Sequence, residues 1–590
     1  MKQKFISGLL ILLTIIVLIL IPSCKTSTST VTTTVTSTAP ATVPQPSPAT
    51  TPVKANWWDK FGEPKYGGTI TLRVNDFSNL IFDPWDHPVF SGQWLLHFDY
   101  LFTTDWTVDR SKWAFNVSLT PEEYIKGSLA EKWEQKDPQT LVITLRKGVR
   151  FQNKPPVNGR ELVADDIVYH YHRLCGIGSG FMQPSPFWTY FTDLVESVSS
   201  VDKNTVIFKF KQPGIINFIR LADTFQYNCI EAPEVSQQYN DCSDWKNAVG
   251  TGPWILTNYI EGNSLNFEKN PNYWGYDERH PANRLPYANK ITIVCIPDSA
   301  TALGAVRTGK IDILTGVNWQ QAMTTKKSNP EIEQVMLPKA GCDVLFNLNN
   351  APFTNIKVRK ALQMSLNRQE IARSHYGGIV EGTPCGQIHP IYKDFAFTYD
   401  LWPQSLKDEY SYNPEAAKKM LAEAGYPSGF KTNIVAPNTG DTELLQIIKS
   451  YFKDIGVDME IKLYDMATYT NIQMTAKHDQ MTWSEMECGS TNFPFQSLLS
   501  TTSYWTNPST VNDPVYDEMT REFTRASSFV ELAQMTREAD KYALEKHWKV
   551  RLFPIISYNL YQPYLKGYSG EVIDGMGGNM DYFARWWIAK

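Results

Sequence analysis

The first 24 residues decide on which side of a membrane the rest of the chain has to fold. Lys2-Gln3-Lys4 precedes a predominantly apolar run from Phe5 to Ile21, which ends in Pro22-Ser23-Cys24. A basic start, a short apolar stretch and a small residue at its end make a secretory signal. The run is on the short side of the ~20 apolar residues that span a bilayer, so an uncleaved membrane anchor is the alternative. Either reading expects everything after Cys24 outside the cytoplasm.

Residues 25–54 consist mainly of Thr, Ser, Pro and Ala, with almost no large apolar side chains. Such a stretch cannot bury enough surface to offset its ordering entropy, and its prolines favour extended backbone. We expect a disordered tether. The ~535 residues beyond it exceed what one hydrophobic core organises, so two or three domains are expected.

Composition excludes several function classes. The net charge is −5, from 56 basic and 61 acidic residues, which gives no basic excess for nucleic acid. HExxH, GxSxG, Walker A and dinucleotide motifs are absent, and the nine histidines are scattered. His170 and His172 stand two apart on an expected helix and so point to different faces. Asp165-Asp166 reads as a helix start rather than a carboxylate dyad. Beyond Cys24 there are seven cysteines (Cys175, Cys229, Cys242, Cys295, Cys342, Cys385 and Cys488), so at least one is unpaired within the chain. None is at metal-ligand spacing, and no metal or cofactor is expected. These features count against an enzyme. Aromatic residues make up 13% of the chain, enough to fill cores and also to line a cleft.

Periodicity predicts a mixed α/β body. Strands are expected after Gly67-Gly68, from Leu141, in a hairpin over Val201–Phe210, over Lys290–Ile296 and over Val457–Leu463. Helices are expected over Asp165–Leu174, Asp298–Thr308, Val358–Leu366, Asn413–Ala424 and Thr442–Ile455, with Asn367 capping one more.

A series of short motifs runs through this body in order. It comprises Gly67-Gly68-Thr69 with Asp83-Pro84, Ser128-Leu-Ala-Glu-Lys-Trp-Glu134, Leu145-Arg-Lys-Gly-Val-Arg-Phe151 and Ala164-Asp-Asp-Ile-Val-Tyr169. Gly250-Thr-Gly-Pro-Trp254, Asn270-Pro-Asn-Tyr-Trp-Gly275, Gly309-Lys-Ile-Asp312, Val358-Arg-Lys-Ala-Leu362, Asn367-Arg368 and Tyr412-Asn-Pro-Glu-Ala-Ala417 follow. Together they resemble the family 5 extracytoplasmic solute-binding proteins of ABC importers, which include oligopeptide-, dipeptide- and nickel-binding proteins. Gln152-Asn153-Lys154 stands where many relatives have His-Asp-Gly. Ser23-Cys24 resembles a lipoprotein cleavage site, with Pro22 where Ala, Ser or Thr is usual. Cys24 would then carry a diacylglycerol and become the N-terminus.

The resemblance implies an α/β bilobed clamshell of the periplasmic-binding-protein type (class II, cluster C), with an extra subdomain in the first lobe. The expected organisation is a signal peptide over 1–24, a tether over 25–54 and a first lobe over 55–340, with its subdomain at about 90–235. A second lobe spans 341–552, and 553–590 return to the first. The implied function is capture of a solute between the lobes and delivery to membrane permease subunits. The protein would be a monomer, lipid-anchored on the outer face of the cell membrane or in the periplasm. Peptides rank first among solutes, oligosaccharides second and nickel third; a receptor coupled to signalling is the other class.

The oligopeptide-binding branch of the family implies particular site residues. It implies a Cys342–Cys488 disulfide beside the ligand. Its amine-holding aspartate corresponds to Ser490, a neutral hydroxyl, which leaves Glu485 or Glu487 to supply the charge from one face of a strand. Its ligand-contacting glutamate corresponds to Asn347, and its backbone contact to Phe90. Trp94, Trp483, Cys488, Ser557 and Tyr558 complete the candidates, the aromatics being core residues in the alternative reading.

Overall fold

The computed structural model of the chain describes residues 55–77, 82–85, 95–116, 120–178, 183–185, 192, 194–222, 228–239, 243–339, 341–486, 507–571 and 580–590. Two units are separated, Met1–Ala55 and Asn56–Lys590, and every element below belongs to the second. The leader, the tether and Cys24 lie outside the described residues.

The first lobe is built on strand β1 (Thr69–Val74), whose Ile70, Leu72 and Val74 alternate into the core. The subdomain sheet comprises β2 (Ala130–Asp137), β3 (Thr140–Leu145), β4 (Val195–Asp202) and β5 (Thr205–Phe210), in the order β2-β3-β5-β4 and antiparallel throughout. Helix α1 (Ala164–Cys175) packs Ile167, Tyr171 and Leu174 into the core beneath that sheet. Its start is fixed by Asp166, which accepts the Val163 N–H at 2.8 Å and pairs with Arg160 at 2.7 Å. Helix α2 (Ile215–Ala222) closes the subdomain with Phe218, Leu221 and Ala222.

Strands β6 (Trp254–Ile260), β7 (Ser264–Lys269) and β8 (Lys290–Cys295) join β1 in the order β1-β8-β7-β6. β1 and β8 are parallel, in register from Thr69↔Lys290 to Val74↔Cys295. Gln152, one of the departures from the family pattern, fastens subdomain to sheet: its N–H donates to Gly250 O at 2.9 Å and its Nε2 to Trp254 O at 2.8 Å. Helix α3 (Ser299–Arg307) then leads into β9 (Ile313–Val317), and α4 (Trp319–Ser328) into β10 (Glu333–Lys339).

The second lobe is a five-stranded sheet of β11 (Gly341–Phe346), β12 (Phe430–Pro437), β13 (Val457–Tyr464), β14 (Met481–Met486) and β15 (Lys549–Arg551), in the order β13-β12-β14-β11-β15. Helices α5 (Ile356–Met364) and α6 (Thr442–Asp454) cover one face through Leu362, Leu445 and Ile448. Helix α7 (Met466–Met474) follows β13. A further helical layer, α8 (Pro514–Glu522) and α9 (Phe529–Lys546), leads into β15. The last long strand, β16 (Ile555–Tyr561), pairs antiparallel with β9 and β10 in the first lobe.

The chain thus crosses between lobes twice, between Lys339 and Gly341 and between Arg551 and Ile555. The crossings lie side by side, because β10 pairs with β16 and β11 with β15. Gly341 sits at φ +121°, and a Cβ there would stand 2.5 Å from Phe553 O, so the close backbone approach at this point requires a glycine.

Every residue of β11 is buried. Cys342, Val344 and Phe346 face the apolar core, while Asp343 faces the other way. Its carboxylate takes Lys549 Nζ at 2.8 Å and a two-pronged contact from Arg551, with Nε and Nη2 each at 2.7 Å. Burial pushes the Asp343 carboxyl up, but Arg551 and Lys549 outweigh it and hold the group below the usual carboxylate range. An Asp343→Asn substitution leaves both cations buried without their counter-charge. It should destabilise the fold by about 3–5 kcal/mol, read as a lower midpoint of denaturant unfolding at unchanged slope.

Candidate functional site

Topology identifies the edge of the second lobe that faces the first. β11 enters from the crossing at its N-terminal end, and β14 runs antiparallel to it, so β14 ends beside Gly341. β12 is parallel to β14 and to β13, so Pro437 and Tyr464 end on that edge too. Carboxyl ends of parallel strands are where α/β folds take their ligands. In the first lobe the parallel pair β1 and β8 ends at Val74 and Cys295. Beyond β1, Arg173 clamps Asp83 with two bonds of 2.7 Å and holds Glu231 at 2.6 Å, and Trp85 Nε1 donates to Arg173 O at 3.1 Å. This buried cluster fixes the root of the segment that carries Phe90 and Trp94, which themselves lie outside the described residues.

Glu485 is exposed at the second lobe's facing edge. Its Oε1 accepts Asp441 N–H at 2.7 Å and Trp483 Nε1 at 3.0 Å. The carboxylate is therefore oriented at the N-terminus of α6, where the helix dipole favours negative charge. Asp441 also caps α6 through Leu444 N–H at 3.0 Å and takes His375 Nε2 at 2.8 Å. The residues joined to His375 bring in the first lobe: Trp319, the first residue of α4, donates Nε1 to His375 O at 3.1 Å.

Several expected site residues sit elsewhere. Trp483 is fully buried in the core beside Val344 and Met481, so it is a packing residue that orients Glu485 and not a ligand platform. Asn347 follows the far end of β11 and is buried. Its amide donates to His478 O at 2.8 Å and its Oδ1 accepts Thr510 Oγ1 at 3.1 Å, which commits it to the protein. Ser557 is buried in β16, and Tyr558 packs half-buried against the cluster of α3 and β9. Cys342 is a free, buried thiol with the Tyr376 hydroxyl 4.0 Å from its sulfur. The bridge implied by the resemblance is thus absent at its Cys342 end, because the side chain points into the core with Val344. Glu487, Cys488 and Ser490 lie outside the described residues. Sequence reasoning missed His375 and Asp441; Asp441 at the start of an amphipathic helix was the available signal. Among the described residues no three His, Cys, Asp or Glu side chains converge on a metal position.

Residues 124–507 match the profile of the bacterial extracellular solute-binding proteins, family 5. The chain belongs to this family. It is 27% identical over 471 residues to heme-binding protein A of Haemophilus influenzae, covering 75% of this chain and 81% of that protein. It is 26% identical over 432 residues to the dipeptide-binding protein of Escherichia coli, covering 68% and 76%. Among solved structures, the periplasmic binding protein DppA of Helicobacter pylori in complex with the peptide STSA superposes with a TM-score of 0.71 at 22% identity, covering 89% of this chain and 99% of that one. The fold is accordingly the bilobed α/β clamshell of family 5, and the protein is an extracellular solute-binding protein.

The bond to Asp441 raises the His375 pKa above its ordinary 6.5, with burial opposing it. A raised folded-state value means that stabilisation is complete below 6.5 and is lost as pH climbs through the folded value. Half-buried His389 and buried His478 are each pushed down to about 4 by desolvation and act in the opposite sense, so the readout must be a difference. The stability gap between wild type and His375→Gln should shrink as pH rises upward from 6.5, measured by urea unfolding across pH 5–9.

Proposed function

We propose that this protein is the solute-capturing subunit of an ABC importer and that its solute is a short peptide with a free amino terminus. The observation that carries the reading is Glu485. It presents an exposed carboxylate, held by two N–H donors, on the edge of the second lobe that faces the first. Its other oxygen accepts no bond among the described residues. Ser490 replaces the charged partner that the peptide-binding branch uses, and Glu485 supplies the missing negative charge. A charge-assisted hydrogen bond to an ammonium contributes about 1.5–3 kcal/mol, which is ten- to more than a hundredfold in affinity. Family membership, together with the names of relatives that bind dipeptides and a tetrapeptide complex in a similar fold, supports the choice of solute class. The protein works as a monomer that carries its solute to membrane permease subunits without altering it.

The test is thermal-shift and calorimetric titration of the protein with trialanine and with N-acetyl-trialanine. Free trialanine should raise the melting temperature and bind at least about tenfold more tightly than the acetylated form. Glu485→Gln should remove that preference and leave the acetylated peptide's affinity unchanged. Equal binding of both peptides by wild type would reject the amine contact. A shift with an oligosaccharide or haem and none with peptides would reject the solute class.

The attachment we propose is a lipid on Cys24, which holds the body outside the membrane through the Thr/Ser/Pro-rich segment. Mass spectrometry of the protein isolated from its own membrane should find Cys24 as the N-terminus with a diacylglycerol on its thiol. Recovery of Met1, or of an unmodified cysteine, would reject it.

A further inference from the structure

Helix α2 has two buried faces. Phe218, Leu221 and Ala222 sit in the subdomain core, whereas Ile216 and Ile219 sit in a different cluster, with Phe523, Ala526 and Leu532 of the second lobe. The backbones meet as well. The Ile215 N–H donates to Ala526 O at 2.7 Å, and a Cβ on Gly214 would stand 2.0 Å from Thr524 O. Only a glycine admits that approach. The contact falls where α8 turns into α9. Since β15 runs from the end of α9 back to the crossing, the start of α9 is at the end of the second lobe that faces the first. The subdomain therefore grips the second lobe at a place separate from the β10–β11 and β15–β16 crossings.

We propose that this contact is a clasp which holds the two lobes closed and limits how long a solute the protein can enclose. Opening the lobes has to expose Ile216 and Ile219 and to free the Ile215 amide. A solute that props the lobes apart breaks the same contact, so it binds at the cost of the clasp. The length limit rests on the peptide reading above; the clasp does not.

Ala526→Glu places a carboxylate in the apolar cluster from the second lobe's side, and Ile216→Ser/Ile219→Ser weakens it from the subdomain's side without touching the face of α2 in the subdomain core. Both variants are compared with the full-length wild type in the absence of solute. In Ala526→Glu the Ile215 amide should exchange with solvent at least about tenfold faster, while amides of β3 and β11 keep their protection. Both variants should show a larger radius of gyration in small-angle scattering. Unchanged Ile215 exchange with unchanged scattering overturns the clasp. In titrations, wild type should prefer trialanine to a nine-residue peptide, and Ala526→Glu should narrow that ratio by about tenfold. An unchanged ratio in a variant whose amide has been freed overturns the length limit. Failure of wild type to bind either peptide counts against the peptide reading and leaves the exchange result standing.

Discussion

The buried contact of Asp343 with Lys549 and Arg551 ties the second lobe together at the point where the chain enters and leaves it. Asp343 stands directly opposite Arg551 in the β11–β15 pairing, so the cluster locks the incoming strand to the outgoing one. All three nitrogens of Arg551 donate. Nε and Nη2 take the carboxylate, and Nη1 reaches the carbonyls of Gly386 at 2.7 Å and Gln387 at 2.9 Å. Asp540 of α9 in turn accepts the Phe397 N–H at 3.0 Å and packs against Gly386. A lysine could not reproduce this fork, because it offers a point charge and no planar pair of donors. Buried ion pairs contribute little net stability but fix one arrangement against others. Here the cluster joins β11, β15 and the Gly386-Gln387 segment, and Asp540 of α9 meets the same segment.

The elements that were readable in the sequence are those whose signal is local. Helix α6 was expected over Thr442–Ile455 and spans Thr442–Asp454, because Asp441 caps it and Leu444, Leu445, Ile448 and Phe452 repeat at helical spacing. β1, β5 and β13 follow alternation in the same way. Asn367 accepts the Glu370 N–H at 3.1 Å, as a capping asparagine before a helix should. Asp166 belongs to a helix start, and His172 reaches Val198 O at 2.9 Å on another side of α1 from buried His170. Family motifs added what spacing cannot give, namely the order in which these pieces assemble into a clamshell.

The site was less legible, for a physical reason. A residue's distance from a motif residue along a strand does not say which end of the sheet it occupies. Asn347 lies five residues after Cys342, roughly 17 Å along an extended strand, and so ends up at the opposite end of β11. Trp483 and Glu485 alternate onto one face. That face is the apolar core for most of its length and becomes exposed only at the last turn before the crossing. One register position separates a packing tryptophan from an exposed carboxylate. The His375–Asp441 contact joins residues 66 apart in sequence and brings in Trp319 from the other lobe, and no local pattern encodes it.

Contacts at two separate places between the lobes change how solute affinity arises. If the crossings alone joined the lobes, closure would depend almost entirely on contacts with the solute. Trp319 on His375 and α2 on the α8–α9 turn are contacts between the lobes that involve no solute. A fully buried isoleucine contributes roughly 1.5–3 kcal/mol, so Ile216 and Ile219 offset a substantial part of the cost of bringing two wet surfaces together. Apparent affinity scales with the fraction of protein already competent to bind. The same term works against release, since the permease must supply the free energy that separates the clasped surfaces. A carrier built as proposed would hold a small solute with few direct contacts, its selectivity set as much by what the clasped lobes exclude as by the proposed contact with Glu485.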